Sequence, residues 1–351
     1  MAIESQIRNF LKRTERTIVG IYNYCDIFIR PRVLAYIHGL NLRSRQKNTR
    51  NIKKNDIILF STLRNEAFRI PYFLQYYRNI GVNHFIFVDN GSTDNFMKVV
   101  SGQNDVSVWH TKASYKASNF GMHWLNGLLH KYGKGHWCVT VDPDELLVFP
   151  KSETRTLVEL TDWLDTQHRR SMFCLLLDMY GSGSVSATQY ASGEDPLSVA
   201  PYFDGKGYVQ NFGTARGDVY VQGGARRRVF FRDRPTKAPA INKTPLVKWR
   251  SNYSYLSSMH TLSHMALNHP HGHGGLSVTG CLLHFKFLSS LVEKAAEEIT
   301  RKEHYDNSTE YAAYKTVIDQ DQDHLFYEES IEFEGSDQLV ALGFMQRGMW
   351  F

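Results

Sequence analysis

A doubly wound, mostly parallel α/β sheet flanked by helices is the fold that this sequence predicts, and three observations carry the prediction. Short apolar runs of strand type alternate with stretches of helical period through residues 57–150. Several of those runs stop abruptly at clusters of charged residues, as strands of open α/β sheets do where a crevice opens beyond their carboxyl ends. The chain of 351 residues, 42% hydrophobic and 13% aromatic, is long enough for one large α/β domain with additions, or for two domains.

The elements follow in order. Ile57-Ile58-Leu59-Phe60-Ser61 reads as a buried strand ending at Arg64-Asn65-Glu66. A helix over about 67–80 carries Phe73, Leu74 and Tyr77 and stops at Gly81, a residue suited to a helix C-terminus. His84-Phe85-Ile86-Phe87-Val88 is a second strand and leads into Asp89-Asn90-Gly91-Ser92-Thr93-Asp94. Val106-Ser107-Val108-Trp109 is a third, followed by a helix from about Asn119 to Tyr132. Trp137-Cys138-Val139-Thr140-Val141 is the central strand and ends at Asp142-Pro143-Asp144-Glu145. Pro143 has no N–H and cannot extend a ladder. Two carboxylates one residue apart, Asp142 and Asp144, suit a shared hard cation such as Mg²⁺ or Mn²⁺.

Further on, 154–168 reads as a helix, and Met172-Phe173-Cys174-Leu175-Leu176-Leu177 as a buried strand ending at Asp178. Residues 181–222 are rich in Gly, Ser and Tyr and read as long loops. Residues 223–231 are expected to be a turn feeding a strand, which would place Arg226 and Arg228 on one face, aimed at a common anionic target, with Arg227 pointing away. Residues 243–249 form another extended piece, and Gly280-Cys281-Leu282-Leu283-His284-Phe285-Lys286-Phe287 the last strong strand, with an amphipathic helix over roughly 289–304 behind it. His260, His264, His269, His271 and His273 form a histidine-rich stretch without the His-Glu-x-x-His pattern of a zinc protease, read as a Gly-rich loop.

Charge is uneven. Residues 1–56 hold twelve Lys/Arg against four Asp/Glu, an excess of +8, while the chain as a whole is at +6. The segment reads as helical, with Ile3, Ile7, Phe10 and Leu11 at helical spacing, an apolar cluster from Ile18 to Ile29, and a basic tract from Arg43 to Lys54. Aromatic and aliphatic residues beside Lys/Arg suit an interfacial helix on an anionic leaflet, and equally a helix packed on the main domain with a solvated basic face. No nucleic-acid motif accompanies the charge, so no nucleic acid is expected as partner. Of the four cysteines, Cys138, Cys174 and Cys281 fall in apolar surroundings and read as buried reduced thiols, which fits the cytoplasm. The N-terminus lacks the continuous apolar stretch of a secretory leader, and no apolar run reaches the length of a membrane span. The expected location is cytoplasmic and peripheral on the inner face of the membrane.

Four strand ends thus carry polar clusters: Arg64 to Glu66, Asp89 to Asp94, Asp142 to Glu145, and His284 to Lys286. Together they resemble the family 2-like glycosyltransferases of GT-A fold. Asp142-Pro143-Asp144 is similar to that superfamily's Asp-x-Asp metal motif. Asp178-Met179-Tyr180, Gly223-Gly224-x-Arg226-x-Arg228-x-Phe230, Lys243-x-Pro245-Leu246 and Leu283-His284-Phe285-Lys286 resemble a bacterial subgroup akin to family 92. The resemblance covers about 56–345. It implies a nucleotide-binding half over 56–150, an acceptor half with C-terminal helices over 151–351, and a basic helical extension over 1–55 outside it.

What the resemblance implies is a metal-dependent, inverting transfer of a sugar from a nucleotide-sugar donor to a cell-surface polysaccharide or lipid-linked glycan. Asp144 is the expected direct ligand of Mn²⁺ or Mg²⁺, Asp142 holds the ribose or a metal-bound water, and His284 stands where a third ligand is implied, a neutral imidazole suiting Mn²⁺ better than Mg²⁺. Arg64, Asn65, Glu66 and Asp89 belong to the implied nucleotide loops, with Asp89 on the base or ribose, in an Asx turn, or both. Lys116 and Asn119 stand where donor contacts are implied. Arg226, Arg228, Lys243 and Lys286 are candidate clamps on phosphate or an acceptor carboxylate. Inversion needs a carboxylate to take the acceptor proton. Asp178 is the first candidate, ahead of Glu194, Asp195 and Asp218 in the loops. Two other readings stay open: a nucleotidyltransferase using the same paired aspartates, and a non-catalytic glycan- or membrane-binding module.

Overall fold

The computed structural model describes residues 19–212, 219–268 and 277–350; Ile3, Ile7, Phe10, Leu11, Ile18, Asp218, His269, His271 and His273 lie outside them. Nine strands form one sheet: β1 Arg43–Gln46, β2 Ile58–Leu63, β3 His84–Asp89, β4 Val106–His110, β5 Trp137–Thr140, β6 Glu145–Val148, β7 Ser171–Asp178, β8 Asn242–Lys248 and β9 Gly280–His284. Their order across the sheet is β1-β4-β3-β2-β5-β8-β7-β9-β6. From β2 the chain winds through β3 to β4, then returns to place β5 on the other side of β2. The winding therefore reverses between β2 and β5, the position where open α/β sheets form their binding crevice.

The sheet is mixed, which corrects the expectation of a mostly parallel one. The pairs β4-β3, β3-β2, β2-β5 and β7-β9 are parallel, while β1-β4, β5-β8, β8-β7 and β9-β6 are antiparallel. Strand direction was not readable because a strand buried on both faces shows the same apolar run either way. β8 carries Pro245 in the middle of the sheet, and its register against β7 shifts between Lys243 and Leu246, so the residue that cannot donate to the ladder falls at an irregularity.

Alternating side chains serve two cores. Leu59, Phe85 and Phe87 face one side, where helices α2 (Ile70–Asn79) and α5 (Leu157–Thr166) bring Phe73, Leu74, Leu157 and Leu160. Thr156 and Glu159 close a capping box on α5. Ile58, Phe60, Ile86 and Val88 face the other side, covered by Trp124, Leu125 and Leu128 of α4 (Met122–Leu128). The short helix α3 (Phe96–Val100) lies between β3 and β4 in the chain. Cys138, Cys174 and Cys281 are buried free thiols, as expected.

Residues 19–24 are helical and continue through a π turn, Cys25–Ile29, into α1 (Arg30–Gly39), which packs on α4. A Cβ at Gly127 would come within 3.0 Å of the Ala35 carbonyl oxygen, so glycine permits this close approach. The tract 43–54, expected to be helical, instead begins with edge strand β1, antiparallel to β4. Gln46 fastens it, its Nε2 donating to the carbonyls of Val100, Gln103 and Val106 at 3.2, 3.1 and 2.9 Å. The hydrogen-bonding polar side chains of this tract override the helical reading. Residues 226–230 are likewise a five-residue π turn rather than a strand. Helices α6 (Ser290–Arg301) and α7 (Tyr305–Asp319) follow β9. Among the described residues no helix is long and apolar enough to cross a membrane.

Candidate functional site

β5 ends at Thr140 and β6 begins at Glu145, yet β8, β7 and β9 lie between them in the sheet. Residues 141–144 therefore run along the edge of the sheet, across the ends of those three strands. That crossing decides which side chain meets which. Asp142 passes the start of β8 and accepts from Lys243 Nζ at 3.0 Å. Asp144 reaches the end of β9, where its carbonyl accepts the Phe285 N–H at 2.8 Å and its carboxylate lies 3.4 Å from His284 Nε2. Glu145 then pairs with His284 across the β6-β9 ladder.

His284 is held from behind. Its Nδ1 is 2.7 Å from Asp178 Oδ1, at the adjoining end of β7. Asp178 also accepts two hydrogen bonds from Arg226, at 2.9 and 2.8 Å. Asp178, Arg226 and His284 are all buried. Burial disfavours the imidazolium, but Asp144 and Asp178 on either side raise the His284 pKa. Burial opposes ionisation of Asp178 too, and Arg226 with His284 still hold it well below the usual carboxylate range. A carboxylate so held is a weak proton acceptor. Asp178 is therefore placed to orient His284, not to act as the expected base.

Asp144, Glu145 and His284 bring one ligand atom each within 4.8 Å of one another. Two carboxylates and an imidazole fit Mn²⁺ better than Mg²⁺, and the Asp178–His284 bond is the carboxylate–histidine support common behind metal-binding imidazoles. Burial lifts the Glu145 carboxyl to about 7 against the pull of Lys243, with the Asp142 and Asp144 charges adding to the rise. Lys243 Nζ already donates to Glu145, so a bound cation would compete with that ammonium for the carboxylate. Burial would raise Asp144 as well, but His284, Arg69 and Lys294 hold it well below its ordinary value. Asp142 is not within this cluster. Its carboxylate faces Lys243 and is partly exposed, and Glu145 stands in the place expected of it. Glu145 was readable as the third acid of its run, but its partner lies 139 positions away in the sequence.

The other expected residues fall around the crevice. Asp89 caps an Asx turn by accepting the Ser92 N–H at 2.8 Å, and its second oxygen lies 3.0 Å from His110 Nδ1. Arg64 donates to Glu297 and to the carbonyls of Asn90 and Gly91, not to Glu66. Asn65, at φ 54°, accepts the Thr93 N–H at 2.8 Å. Glu66 is buried between Arg69 and Lys294. The Lys116 N–H and Ser114 Oγ–H both donate to Glu303, and the Asn119 amide donates to the Leu256 carbonyl. Lys286 donates to Glu310 at 3.1 Å beneath the rings of Tyr311 and Tyr314.

Arg226 and Arg228 do not share a target. Arg226 takes Asp178, while Arg228 makes a bidentate pair with Asp204 at 2.7 and 2.8 Å and stacks over Tyr327. The turn replaces the two-residue alternation of a strand, so the common face is lost. His260 meets the Asn242 carbonyl and His264 meets Asn252, so these two histidines do not share one ligand set.

Sequence reasoning gave no role to the C-terminal helices. Lys294, Glu297, Glu303 and Glu310 reach Glu66, Arg64, Ser114 and Lys286 respectively, and close one side of the crevice. The Tyr115 ring lies 5.2 Å from that of His304, beside the same helices, and burial together with the nearby Asp142, Glu298 and Asp144 pushes its phenol up. The only signal was the alternation of Lys and Glu along 290–303. No protein-family model matches this chain, and no curated protein matches its sequence.

Proposed function

We propose that this chain is a metal-dependent glycosyltransferase of GT-A type that uses a nucleotide-sugar donor and a glycan or lipid-linked acceptor. The observation that carries the reading is the Asp144–Glu145–His284 cluster, backed by Asp178, at the carboxyl edge of a sheet whose winding reverses next to it. In this reading Asp144, Glu145 and His284 hold Mn²⁺, which supplies positive charge against a diphosphate leaving group. Asp178 and Arg226 fix the His284 ring, so its Nε2 keeps its aim without reorganisation. Lys294 and Arg69 add positive charge beside Asp144. Asp89, Asn65 and the turn after β3 form the floor for the nucleoside, and Tyr115 offers a ring beside it. Lys243 holds Asp142 at the mouth of the crevice.

The test is a panel of nucleotide sugars with and without Mn²⁺, read by melting temperature and by products. A Mn²⁺-dependent rise in melting temperature with one donor is expected, with slow release of nucleoside diphosphate. Asp144→Asn should abolish both while leaving the melting temperature of the free protein within a few degrees. Release of pyrophosphate would assign a nucleotidyltransferase instead. Donor binding indifferent to Mn²⁺ and to Asp144→Asn would overturn the metal site.

A further inference from the structure

One surface of the molecule is left unexplained by this chemistry. Residues 19–39 form a continuous helical rod about 30 Å long at roughly 1.5 Å per residue. Its inner face, with Phe28, Pro31, Ala35 and His38, lies toward the domain. Its outer face is also apolar: Tyr22, Ile29, Val33, Tyr36, Ile37 and Leu40 recur at helical spacing and all are exposed, Tyr36 at 72% and Leu40 at 69%. A helix apolar on both faces is normally buried on both, and a contiguous exposed apolar stripe marks an interaction surface.

Beside the middle of this helix is a basic cavity, reached through the neighbours of Phe28. It has a volume of about 280 Å³ and is lined by Lys134, Arg170, Lys248, Trp249, Arg250 and Asn252. Lys248 is taken by Asp165. Among the described residues, no ion pair or hydrogen bond engages the side chains of Lys134, Arg170 or Arg250. The cavity and the helix are joined through His264, whose ring lies 5.1 Å from that of Phe28 and whose Nε2 is 3.0 Å from Asn252 Nδ2. At the C-terminal end of the helix, Leu40 precedes Arg43, the ladder partner of His110, whose ring meets Asp89. The stretch from Phe28 to Leu40 thus leads from the side of the basic cavity toward the strand that carries His110.

We infer that this face docks on an anionic phospholipid bilayer, the outer side of helix 19–39 lying in the interface and a lipid phosphate entering the cavity of Lys134, Arg170 and Arg250. Charge complementarity selects this occupant. Arg32 on the helix is exposed, Arg30 is exposed but paired with Asp26 at 2.9 Å, and the cavity adds further cations. A second copy of the chain stacked on this face would set these like charges against each other. An anionic leaflet satisfies apolar and basic groups together. The chemistry of the crevice plays no part in this inference, and its readout is lipid binding alone.

The test is sedimentation of the full chain with vesicles of phosphatidylglycerol or of phosphatidylcholine, at low and high salt, with sedimentation velocity in parallel. The protein should pellet with the anionic vesicles, at least tenfold more than with the neutral ones, and be released by salt. Arg170→Ala/Arg250→Ala should weaken binding by roughly 25-fold, taking about fivefold for each cation at an anionic surface. Tyr36→Ser/Leu40→Ser should weaken it as well, with melting temperature unchanged. Absence of binding to anionic vesicles, equal binding to both lipids, or indifference to the arginine pair would overturn the inference. A dimer abolished by Tyr36→Ser/Leu40→Ser without vesicle binding would assign the face to a second copy. Arginine-dependent binding of inorganic phosphate without vesicle binding would reduce it to a soluble anion site; either result overturns it.

Discussion

Replacing Asp178 by asparagine tests the support behind the candidate metal cluster. The substitution keeps the side-chain volume, so no cavity opens. It removes the charge that faces Arg226 through two hydrogen bonds of 2.9 and 2.8 Å. The guanidinium is 5% exposed, and its next carboxylate, Glu310, is 3.7 Å away. Breaking one side of a buried ion pair costs about 3–5 kcal/mol. Glu310 offsets part of this, so a loss near the lower bound, about 3 kcal/mol, is expected. At roughly 2 °C per kcal/mol for a long chain, the melting temperature should fall by about 6 °C. His284 also loses the charged partner of its Nδ1, and loss of such support weakens metal binding by roughly 10–100-fold. Denaturant unfolding and Mn²⁺ titration followed by electron paramagnetic resonance read the two effects separately. The double variant Asp178→Asn/Arg226→Met removes the stranded charge and should recover most of the stability, but not the Mn²⁺ affinity. A stability loss under about 1 kcal/mol, well below the range for a broken buried pair, together with unchanged Mn²⁺ affinity, would refute the reasoning.

Two further outcomes follow from the fold. Gln46→Ala removes a side chain that donates to three carbonyls between β4 and the segment before it, and should cost about 1–2 kcal/mol at roughly 1 kcal/mol per net hydrogen bond; denaturant unfolding measures it, and an unchanged midpoint would make residues 43–46 an appendage. Burial alone would raise the Glu310 carboxyl, but Lys286 and Arg226 dominate and hold it down to about 2. Because the folded value lies below the ordinary 4.5, the stabilisation is complete above about pH 4.5 and is lost as pH falls through about 2. Glu310→Gln should therefore flatten the stability profile between pH 5 and pH 2 relative to the unmodified chain, and parallel profiles would count against the pairing.

The apolar runs located every long strand of the sheet to within a few residues, because fully buried strands leave an uninterrupted signature in sequence. Pairing partner and direction leave none: β8 was legible as extended, but not as the antiparallel strand between β5 and β7. At the site, Asp144 and His284 were readable as strand-end polar residues and are brought together. Asp142 was expected in the ligand set and Glu145 was given no role there, yet Glu145 joins the cluster, because the crossing of residues 141–144 along the sheet edge decides which acid faces His284. Arg226 and Arg228 were read on strand alternation, and a turn of helical period sends them to Asp178 and Asp204. The polar reach of helix α6 and of Glu303 just after it was invisible because their partners lie roughly 190 to 235 positions earlier in the chain.

The insertion of β9 between β7 and β6 bears on how the chain is synthesised and folded. Until residue 284 has left the ribosome, β6 has no neighbour in the sheet and β7 shows one open edge. Both strands are rich in Leu, and unpaired apolar edges are templates for aggregation. The 132 residues between Val148 and its partner Cys281 and the 105 between Asp178 and its partner His284 make these contacts non-local, and such closures slow folding. Two of the three members of the cluster, Asp144 and Glu145, are therefore made long before its imidazole. A nascent chain halted before β9 carries the acids without the histidine, and two strands whose edges await it.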